Sequence, residues 1–377
     1  MASKTEVATV KNKWMSFLVP ALAVLVSLLI AAIIILFIGQ NPIKAYVVMI
    51  KGAFGSRIAW ADNITKMTSL LLTGLAVGFG FRAGVFNIGA EGQMAMGGIF
   101  AMLVGLNMGN VPPVIAIPLT ILAGMLGGAF WASIAGWLKA QTGAHEVITT
   151  IMLNWIAYHL TNYLVSGPYT VGIGIPKSPE IAKSAQLPPL LTAQASTVPS
   201  GIIIAIVAAI VIYIVLDKTT VGYEVKAVGF NPYAAEYGGI SISKNVVLTM
   251  AISGALAGLA GALEVMCVHH RIFGAFTSDR GFDGITIALI GQNNPIGIIF
   301  SSFLISSLRA GSNSMQTVGV PDDIIVIVQG IIIFFVAADR IIKTWIIKAS
   351  KLGKNKNTET IKGGEEAWLG FKPYLLR

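Results

Sequence analysis

The strongest indication of the fold of this chain comes from residues 81–100, Phe81-Arg-Ala-Gly-Val-Phe-Asn-Ile-Gly-Ala-Glu-Gly-Gln-Met-Ala-Met-Gly-Gly-Ile-Phe100. This stretch combines charged and amide side chains with five glycines, yet apolar segments that read as membrane spans flank it on both sides. Lipid offers no hydrogen bonds to exposed backbone, so polar, non-helical chain at membrane depth survives only inside protein or beside a water-filled path. Interrupted helices of this kind are where transporters build their solute pathways. The stretch therefore predicts a membrane transporter.

The composition of the whole chain also indicates a membrane protein. Of its 377 residues, 55% are hydrophobic and 11% are charged, whereas soluble domains carry about 25% charged residues. The net charge of +9 does not indicate nucleic-acid binding, because the basic residues are spread between apolar segments and concentrated after Asp339. The single cysteine, Cys267, excludes an intrachain disulfide and a thiolate metal cluster.

The apolar pattern predicts an all-α, polytopic integral membrane protein with about ten transmembrane helices, some of them interrupted half-helices. The first seven predicted spans are 15–38, 64–80, 93–108, 112–138, 147–166, 200–216 and 245–267. Residues 281–291 are too few to cross a hydrocarbon core of about 30 Å, and we interpret them as a half-span before the apolar stretches 295–309 and 324–338. Two pairs of glycines at a spacing of four, Gly124/Gly128 and Gly254/Gly258, predict close helix packing.

The distribution of charge predicts the sidedness of the chain. Nine basic residues follow Asp339, and three lysines precede the first span. Because Lys and Arg mark cytoplasmic segments, we expect both termini in the cytoplasm and an even number of crossings. The expected organisation is a cytoplasmic segment 1–14, a transmembrane domain 15–345 with a cytoplasmic loop 217–244, and a basic, partly disordered tail 346–377. Four basic residues in the external connection after the first span run against the usual bias: Lys44, Lys51, Arg57 and Lys66.

A faint internal repeat relates Phe86–Phe100 to Ile287–Phe300. In both segments a short apolar piece breaks at glycine and amide residues and resumes as a helix with Gly, Ile and Phe. Paired interruptions in two halves of a chain point to a transport pathway. Chance similarity between segments rich in glycine and isoleucine explains the pattern equally well.

The loop 217–244 is the second informative feature. Asn231 is a favourable N-cap, Pro232 a favourable first helical residue, and Gly238 or Gly239 a favourable stop. The predicted helix of about two turns exposes Tyr233, Ala234, Ala235, Glu236 and Tyr237. An isolated helix this short is marginal in water, which favours a partner surface, although a connector lying on the membrane fits the pattern equally well.

Three motifs in order resemble a known family. They are Gly84-Val-Phe-Asn-Ile-Gly-Ala-Glu-Gly-Gln93, Gly222-Tyr-Glu-Val-Lys-Ala-Val-Gly-Phe-Asn-Pro-Tyr-Ala-Ala235 and Gly281-Phe-Asp-Gly-Ile285. Together they look like ABC-importer permeases of the branched-chain amino acid/simple sugar group, and most like the nucleoside-uptake permeases that work with a basic-membrane-protein-type lipoprotein. The resemblance extends from about residue 15 to 345.

The resemblance implies partners and a location. The loop 217–244 would carry the coupling helix that contacts an ATP-binding cassette ATPase through Asn231, Pro232, Tyr233, Ala234, Ala235, Glu236 and Tyr237. A second homologous permease, an extracytoplasmic solute-binding lipoprotein and the lipid of the bacterial cytoplasmic (inner) membrane would be the other partners. The chain has no G-x-x-x-x-G-K-[ST] motif. We therefore expect no enzymatic activity and no cofactor in this chain, with ATP bound and hydrolysed by a separate subunit.

The candidate pathway residues are polar or aromatic side chains in the predicted spans and breaks: Asn87, Glu91, Gln93, Asn154, Trp155, Gln292 and Asn293. Their amides, carboxylate and indole could hydrogen-bond and stack on a nucleoside, and an intramembrane ionisable group is a functional hypothesis by default. Two alternatives are open: Glu91 pairs with Arg82 as a structural bridge, and Trp155 packs near the membrane interface. No set of side chains indicates catalysis or a metal site.

Other functions fit the same pattern. A simple sugar or branched-chain amino acid permease is the nearest alternative within the group. From a different class, the chain could act alone as a secondary transporter.

Overall fold

The computed structural model describes residues 4–172, 176–193, 196–321 and 323–337, and most of these are helical. The helices are α1 Lys4–Phe37, α2 Pro42–Phe54, α3 Arg57–Arg82, α4 Ala90–Leu106, α5 Pro113–Thr142, α6 Glu146–Ser166, α7 Gly201–Lys218, α8 Thr220–Phe230, α9 Pro232–Tyr237, α10 Ile242–Leu263, α11 Arg280–Ile290, α12 Pro295–Met315 and α13 Ile324–Ala337. A π-helical segment, Glu264–His269, continues α10. The strands β1, Pro189–Ala193, and β2, Ser196–Pro199, form an antiparallel hairpin. The predicted tail 346–377 lies outside the described residues.

Within the described residues, five helical segments are long and apolar enough to cross a membrane: Arg57–Arg82, Pro113–Thr142, Gly201–Lys218, Ile242–His269 and Pro295–Val318. A sixth span results if Ala21–Phe37 and α2, which meet at 119°, count as one broken crossing. The helix α4 and the segment Ile324–Phe335 are apolar but shorter. The all-α membrane architecture is therefore confirmed, while the ten-span count and the cytoplasmic termini stay predictions.

The segment between the first two predicted spans differs from the expected loop. It forms α2 and the first turns of α3, which begins seven residues before the predicted 64. Asn41 caps α2 by accepting the backbone N–H of Ile43 at 2.9 Å, and Ser56 caps α3 by accepting that of Ala59 at 3.1 Å. Sequence reasoning missed α2 because its lysines interrupt the apolar pattern that marked the other helices.

The helices α4, α5 and α10 pack with their backbones in close approach. A Cβ atom added to Gly97 would lie 2.3 Å from the Cα of Gly258, and one on Gly128 would lie 2.2 Å from the carbonyl oxygen of Gly254. Side chains larger than hydrogen do not fit at such distances, so the predicted role of the paired glycines in close packing is confirmed.

The break after α3 and the junction of α5 with α6 lie at the same end of the helix bundle. This end is called the α8–α9 end. The Glu146 carboxylate, at the start of α6, contacts Lys139 of α5 at 2.6 Å and accepts the N–H of Phe86 at 3.3 Å. The predicted loop 217–244, which contains α8 and α9, lies at this end.

The opposite end, here the hairpin end, is covered by the loop 167–199. Its described part reaches over α4, where the N–H of Ala182 donates to the carbonyl of Gly105 at 3.0 Å. It also covers the π-helical segment, where Leu187 donates to the carbonyl of Met266 at 3.0 Å. The described part of the loop 167–199 and the loop 217–244 thus lie at opposite ends of the bundle.

Candidate functional site

The first break, residues 83–89, connects α3 to α4 and is held by buried amides. Asn87 donates from Nδ2 to Gln93 Oε1 at 2.8 Å and to Ser253 Oγ at 2.7 Å. Its Oδ1 accepts Gln93 Nε2 at 2.8 Å and the N–H of Gly89 at 3.0 Å. Asn87 and Gln93 are 0% and 1% exposed, so in this structure both side chains are occupied in stabilising the break.

Asn154 connects α6 to the same break. Its Oδ1 accepts the N–H of Gly92 at 2.9 Å, and its Nδ2 donates to the carbonyl of Ile88 at 2.9 Å. These two bonds satisfy backbone groups that the interrupted helix leaves without intrahelical partners. Asn154 therefore fixes the start of α4 against α6.

A cavity of about 380 Å³ lies directly beside this contact and is called the first cavity. It brings together three predicted pathway residues, Glu91, Asn154 and Trp155, and adds Tyr158 from the next turn of α6. The rings of Trp155 and Tyr158 meet edge to face with centroids 6.1 Å apart. Its volume falls within the range of about 300–1,000 Å³ that small-molecule sites occupy.

The opposite side of the first cavity is a segment that the sequence analysis did not select. Residues 275–279, here called the wall, form a non-helical turn between the π-helical segment and α11, and all five line the cavity. Ala275, Ser278 and Asp279 have φ angles of 56°, 49° and 60°, a left-handed conformation that residues other than glycine rarely adopt. A signal was present, because the polar run Thr277-Ser-Asp-Arg280 directly precedes the short half-span.

Glu91 contacts the backbone at the end of the wall and at the start of α11, and not Arg82. Its carboxylate accepts the N–H of Asp279 at 3.1 Å and that of Gly281 at 2.6 Å. Arg82 instead donates from Nε to the carbonyl of Asn293 at 2.7 Å. The alternative of a Glu91–Arg82 bridge is therefore wrong.

Gln292 and Asn293 line a separate cavity of about 190 Å³ at the α8–α9 end, together with Arg82, Lys226 and Phe230. The two breaks of the proposed repeat therefore meet through the side chain of Arg82, while the first cavity is completed by the wall. As the repeat predicts, α4 and α12 each begin directly after their break.

Buried ion pairs surround the half-helix α11. The Glu264 carboxylate contacts Arg280 Nη1 at 2.6 Å and His269 Nε2 at 3.3 Å. Asp283 accepts a hydrogen bond from Arg309 Nη2 at 2.6 Å. Because a charge at membrane depth needs a partner, these contacts hold α11 against α10 and α12.

The helix α9 forms as predicted from its capping residues. Asn231 Oδ1 accepts the N–H groups of Tyr233 at 3.1 Å and Ala234 at 3.2 Å, and Pro232 is the first helical residue. Tyr233 and Tyr237 are 82% and 97% exposed. One expectation is wrong, because Ala235 is only 5% exposed: the six-residue helix lies flat enough on the bundle to turn one side inward.

The helix α8 connects α9 to the first break. A Cβ atom added to Gly229 would lie 2.1 Å from the carbonyl oxygen of Arg82, and one on Gly84 would lie 3.4 Å from the Cα of Gly229. Backbone therefore touches backbone where α8 meets the end of α3.

The interrupted helices and the cavity between them define a multi-pass membrane transport protein. Residues 60–337 match the model of the family described as branched-chain amino acid transport system / permease component. The chain belongs to this family, and the resemblance drawn from its three motifs is confirmed. No solved structure matches the chain.

Three relatives illustrate the range of the family. The chain is 40% identical to the guanosine ABC transporter permease protein NupP of Bacillus subtilis, over 90% of this chain and 98% of that protein. It is 37% identical to the nucleoside ABC transporter permease protein NupB of Lactococcus lactis, over 94% of this chain and all of that protein. It is 32% identical to the glucose ABC transporter permease protein TsgB13 of Haloferax volcanii, over 94% of this chain and 96% of that protein.

Proposed function

We propose that this chain is the permease subunit of an ABC importer that carries nucleosides across the bacterial cytoplasmic membrane. The observation that carries the proposal is the first cavity, where the Trp155 and Tyr158 rings stand beside the Asn154 amide and the Glu91 carboxylate. Aromatic rings stack on a nucleobase, and the exposed carboxylate of Asp279, which also lines the cavity, can accept hydrogen bonds from ribose hydroxyls. The names of two relatives, the guanosine permease NupP and the nucleoside permease NupB, support nucleosides as the solute class.

The surroundings of the first cavity support a second permease subunit. Ser278 and Asp279 are exposed beside Trp155, which is 59% exposed. A carboxylate and non-helical backbone at membrane depth cannot face lipid. A homologous permease covering this side would leave a water-filled pathway between the two subunits.

The α8–α9 end supports docking of an ATP-binding cassette ATPase, which would bind and hydrolyse ATP. Phe230, Tyr233 and Tyr237 are 88%, 82% and 97% exposed there. Grouped exposed aromatic side chains mark protein interaction sites. Movement of α9 would reach the first break through the contact of Gly229 with Arg82.

The hairpin end would receive the solute-binding lipoprotein. The loop that covers this end is bonded by backbone to the segment that leads into the wall, since Ser178 donates to the carbonyl of Ile272 at 2.8 Å. In this arrangement both termini face the cytoplasm, and ten crossings complete the topology.

The test is uptake by the complete complex with Trp155→Ala. Loss of the stacking ring should raise the KM for guanosine roughly tenfold, since base–aromatic stacking contributes about 1–3 kcal/mol. The matched control is Trp137→Ala, which removes an equally exposed indole (56%) that does not line the first cavity. Radiolabelled guanosine, uridine, glucose and leucine form the solute panel.

Two results would contradict the proposal. Uptake of glucose or leucine in preference to both nucleosides would favour the alternative solutes, of which glucose has support from TsgB13. Ion-driven uptake by this chain alone, without an ATPase, would assign it to the secondary transporters.

A further inference from the structure

The wall needs outside support because its own conformation is unfavourable. Ala275, Ser278 and Asp279 all have positive φ, a conformation that is unfavourable for residues other than glycine. Such backbone persists only where surrounding structure determines it. Contacts with other parts of the protein must therefore hold the wall in this conformation.

The half-helix α11, which begins directly after the wall, has no local cap. Asp279 occupies the N-cap position, yet within the described part of the chain its side chain makes no capping hydrogen bond to the first turn of α11. The first N–H groups of a helix have no intrahelical acceptor and normally take one from an N-cap side chain. Here the acceptor must come from elsewhere.

Glu91 of α4 supplies this acceptor. Its two carboxylate oxygens take the N–H of Asp279 and the N–H of Gly281, the second residue of α11. The Thr277 hydroxyl also bonds to the same carboxylate. A negative group at a helix N-terminus is favoured electrostatically as well, and charge-assisted bonds are the strong ones.

The N-terminal ends of α11 and α4 lie close enough together for this contact. A Cβ atom added to Gly281 would lie 2.2 Å from the backbone nitrogen of Glu91, so only glycine allows the two helix starts to meet. On the other side, Thr73 Oγ1 donates to the carbonyl of Arg280 at 3.0 Å. Three successive residues, 279 to 281, thus have backbone groups bonded by side chains of α3 and α4.

We propose that Glu91 is a positioning residue that caps α11 from a different helix and thereby fixes the wall of the first cavity. Glu91 lies in the first turn of α4 and accepts hydrogen bonds from the start of α11, so it connects these two helices. The distance between these starts sets the width of the cavity. The effect of this Glu91 contact on transport rests on the proposed function, but the contact itself can be measured without any solute.

The experiment compares three side chains of similar length at position 91 by amide hydrogen exchange, read by mass spectrometry on the full chain in lipid nanodiscs. Glu91→Gln keeps one oxygen acceptor, and Glu91→Met keeps the shape with no strong acceptor. We expect exchange at residues 279–281 to rise in the order Glu, Gln, Met, by at least roughly tenfold for Met, because bonds to a charged group contribute about 1.5–3 kcal/mol. The graded order separates acceptor loss from a general loss of packing.

Controls make the result specific. Glu146→Gln removes another buried carboxylate, at the α8–α9 end, and should leave exchange at 279–281 unchanged. Peptides that cover Gln292 and Asn293, which lie in the other cavity, should not respond to changes at position 91. Gly281→Ala, which pushes the two helix starts apart without altering Glu91, should raise exchange in the same peptide.

Unchanged exchange at 279–281 in both Glu91→Met and Gly281→Ala, in correctly inserted protein, would overturn the positioning role. That outcome is distinct from failure of the proposed function, which shows as absence of nucleoside uptake with the exchange pattern intact.

Discussion

At the scale of single residues, buried amides decide whether the chain can break inside the membrane. An interrupted helix leaves N–H and C=O groups without partners, and lipid cannot satisfy them. Asn87 and Asn154 form hydrogen bonds with such backbone groups on opposite sides of the first break. The predicted pathway residues thus fall into three groups: Glu91, Asn154 and Trp155 line the first cavity, Gln292 and Asn293 line the separate cavity, and Asn87 and Gln93 are buried in the first break.

The division predicts the effect of Asn87→Ala. Loss of the amide leaves the buried Gln93 side chain without its partner, while Ser253 keeps its bond to the carbonyl of Ala76. This should destabilise the protein by about 2 kcal/mol. Thermal unfolding of the purified chain in detergent measures the loss. Asn107→Ala, which removes an exposed amide bonded only within its own helix, should unfold at the wild-type temperature. Equal unfolding temperatures for Asn87→Ala and wild type would refute the assignment.

At the scale of secondary-structure elements, the sequence predicts helices with ordinary caps better than turns that depend on tertiary contacts. The helix α9 follows from Asn231 and Pro232 alone, because both act within one turn. The wall could not be predicted in this way, since Ala275, Ser278 and Asp279 carry no local preference strong enough for positive φ. Its conformation depends on Glu91, nearly two hundred residues away in the chain.

The contact of α4, α5 and α10 predicts a strong effect of a single methyl group. In Gly258→Ala the new Cβ would lie 2.3 Å from the carbonyl oxygen of Gly124, and forced overpacking costs about 1–3 kcal/mol. We expect a lower unfolding temperature and less protein in the membrane fraction. Gly330→Ala is the matched control, because a Cβ at this helical glycine meets open space. If both variants behave alike, the helices are not in close approach.

At the scale of the whole molecule, the two ends of the bundle are joined through the breaks. The α8–α9 end touches the first break at Gly229 and Arg82, and the hairpin end reaches the wall through Ile272. The sequence predicts a functional loop at the α8–α9 end, because the motif and the capping residues of 217–244 mark it, and does not single out the hairpin end. It could not show which backbone segments connect the two ends, since these contacts join residues far apart in the chain.

This arrangement predicts that α9 can be altered without loss of the fold. Ala234→Trp adds a large ring to an exposed position, so the chain should insert normally while uptake by the complete complex falls at least tenfold. Gln141→Trp, an exposed change at the same end, should leave uptake near the wild-type rate. Membrane content is measured by immunoblot and transport with radiolabelled guanosine. Normal uptake by Ala234→Trp would contradict the proposal that α9 contacts an ATPase.

The exposed rings of Phe230, Tyr233 and Tyr237 have a consequence for biogenesis. A newly inserted chain that has not yet met its partner presents these three rings to the aqueous phase, where they resemble the apolar surface that chaperones and proteases recognise. Synthesis of the chain alone should therefore yield short-lived protein, and synthesis together with its partner should lengthen its lifetime. In this way α9 would also set the stoichiometry of assembly, because only covered copies survive.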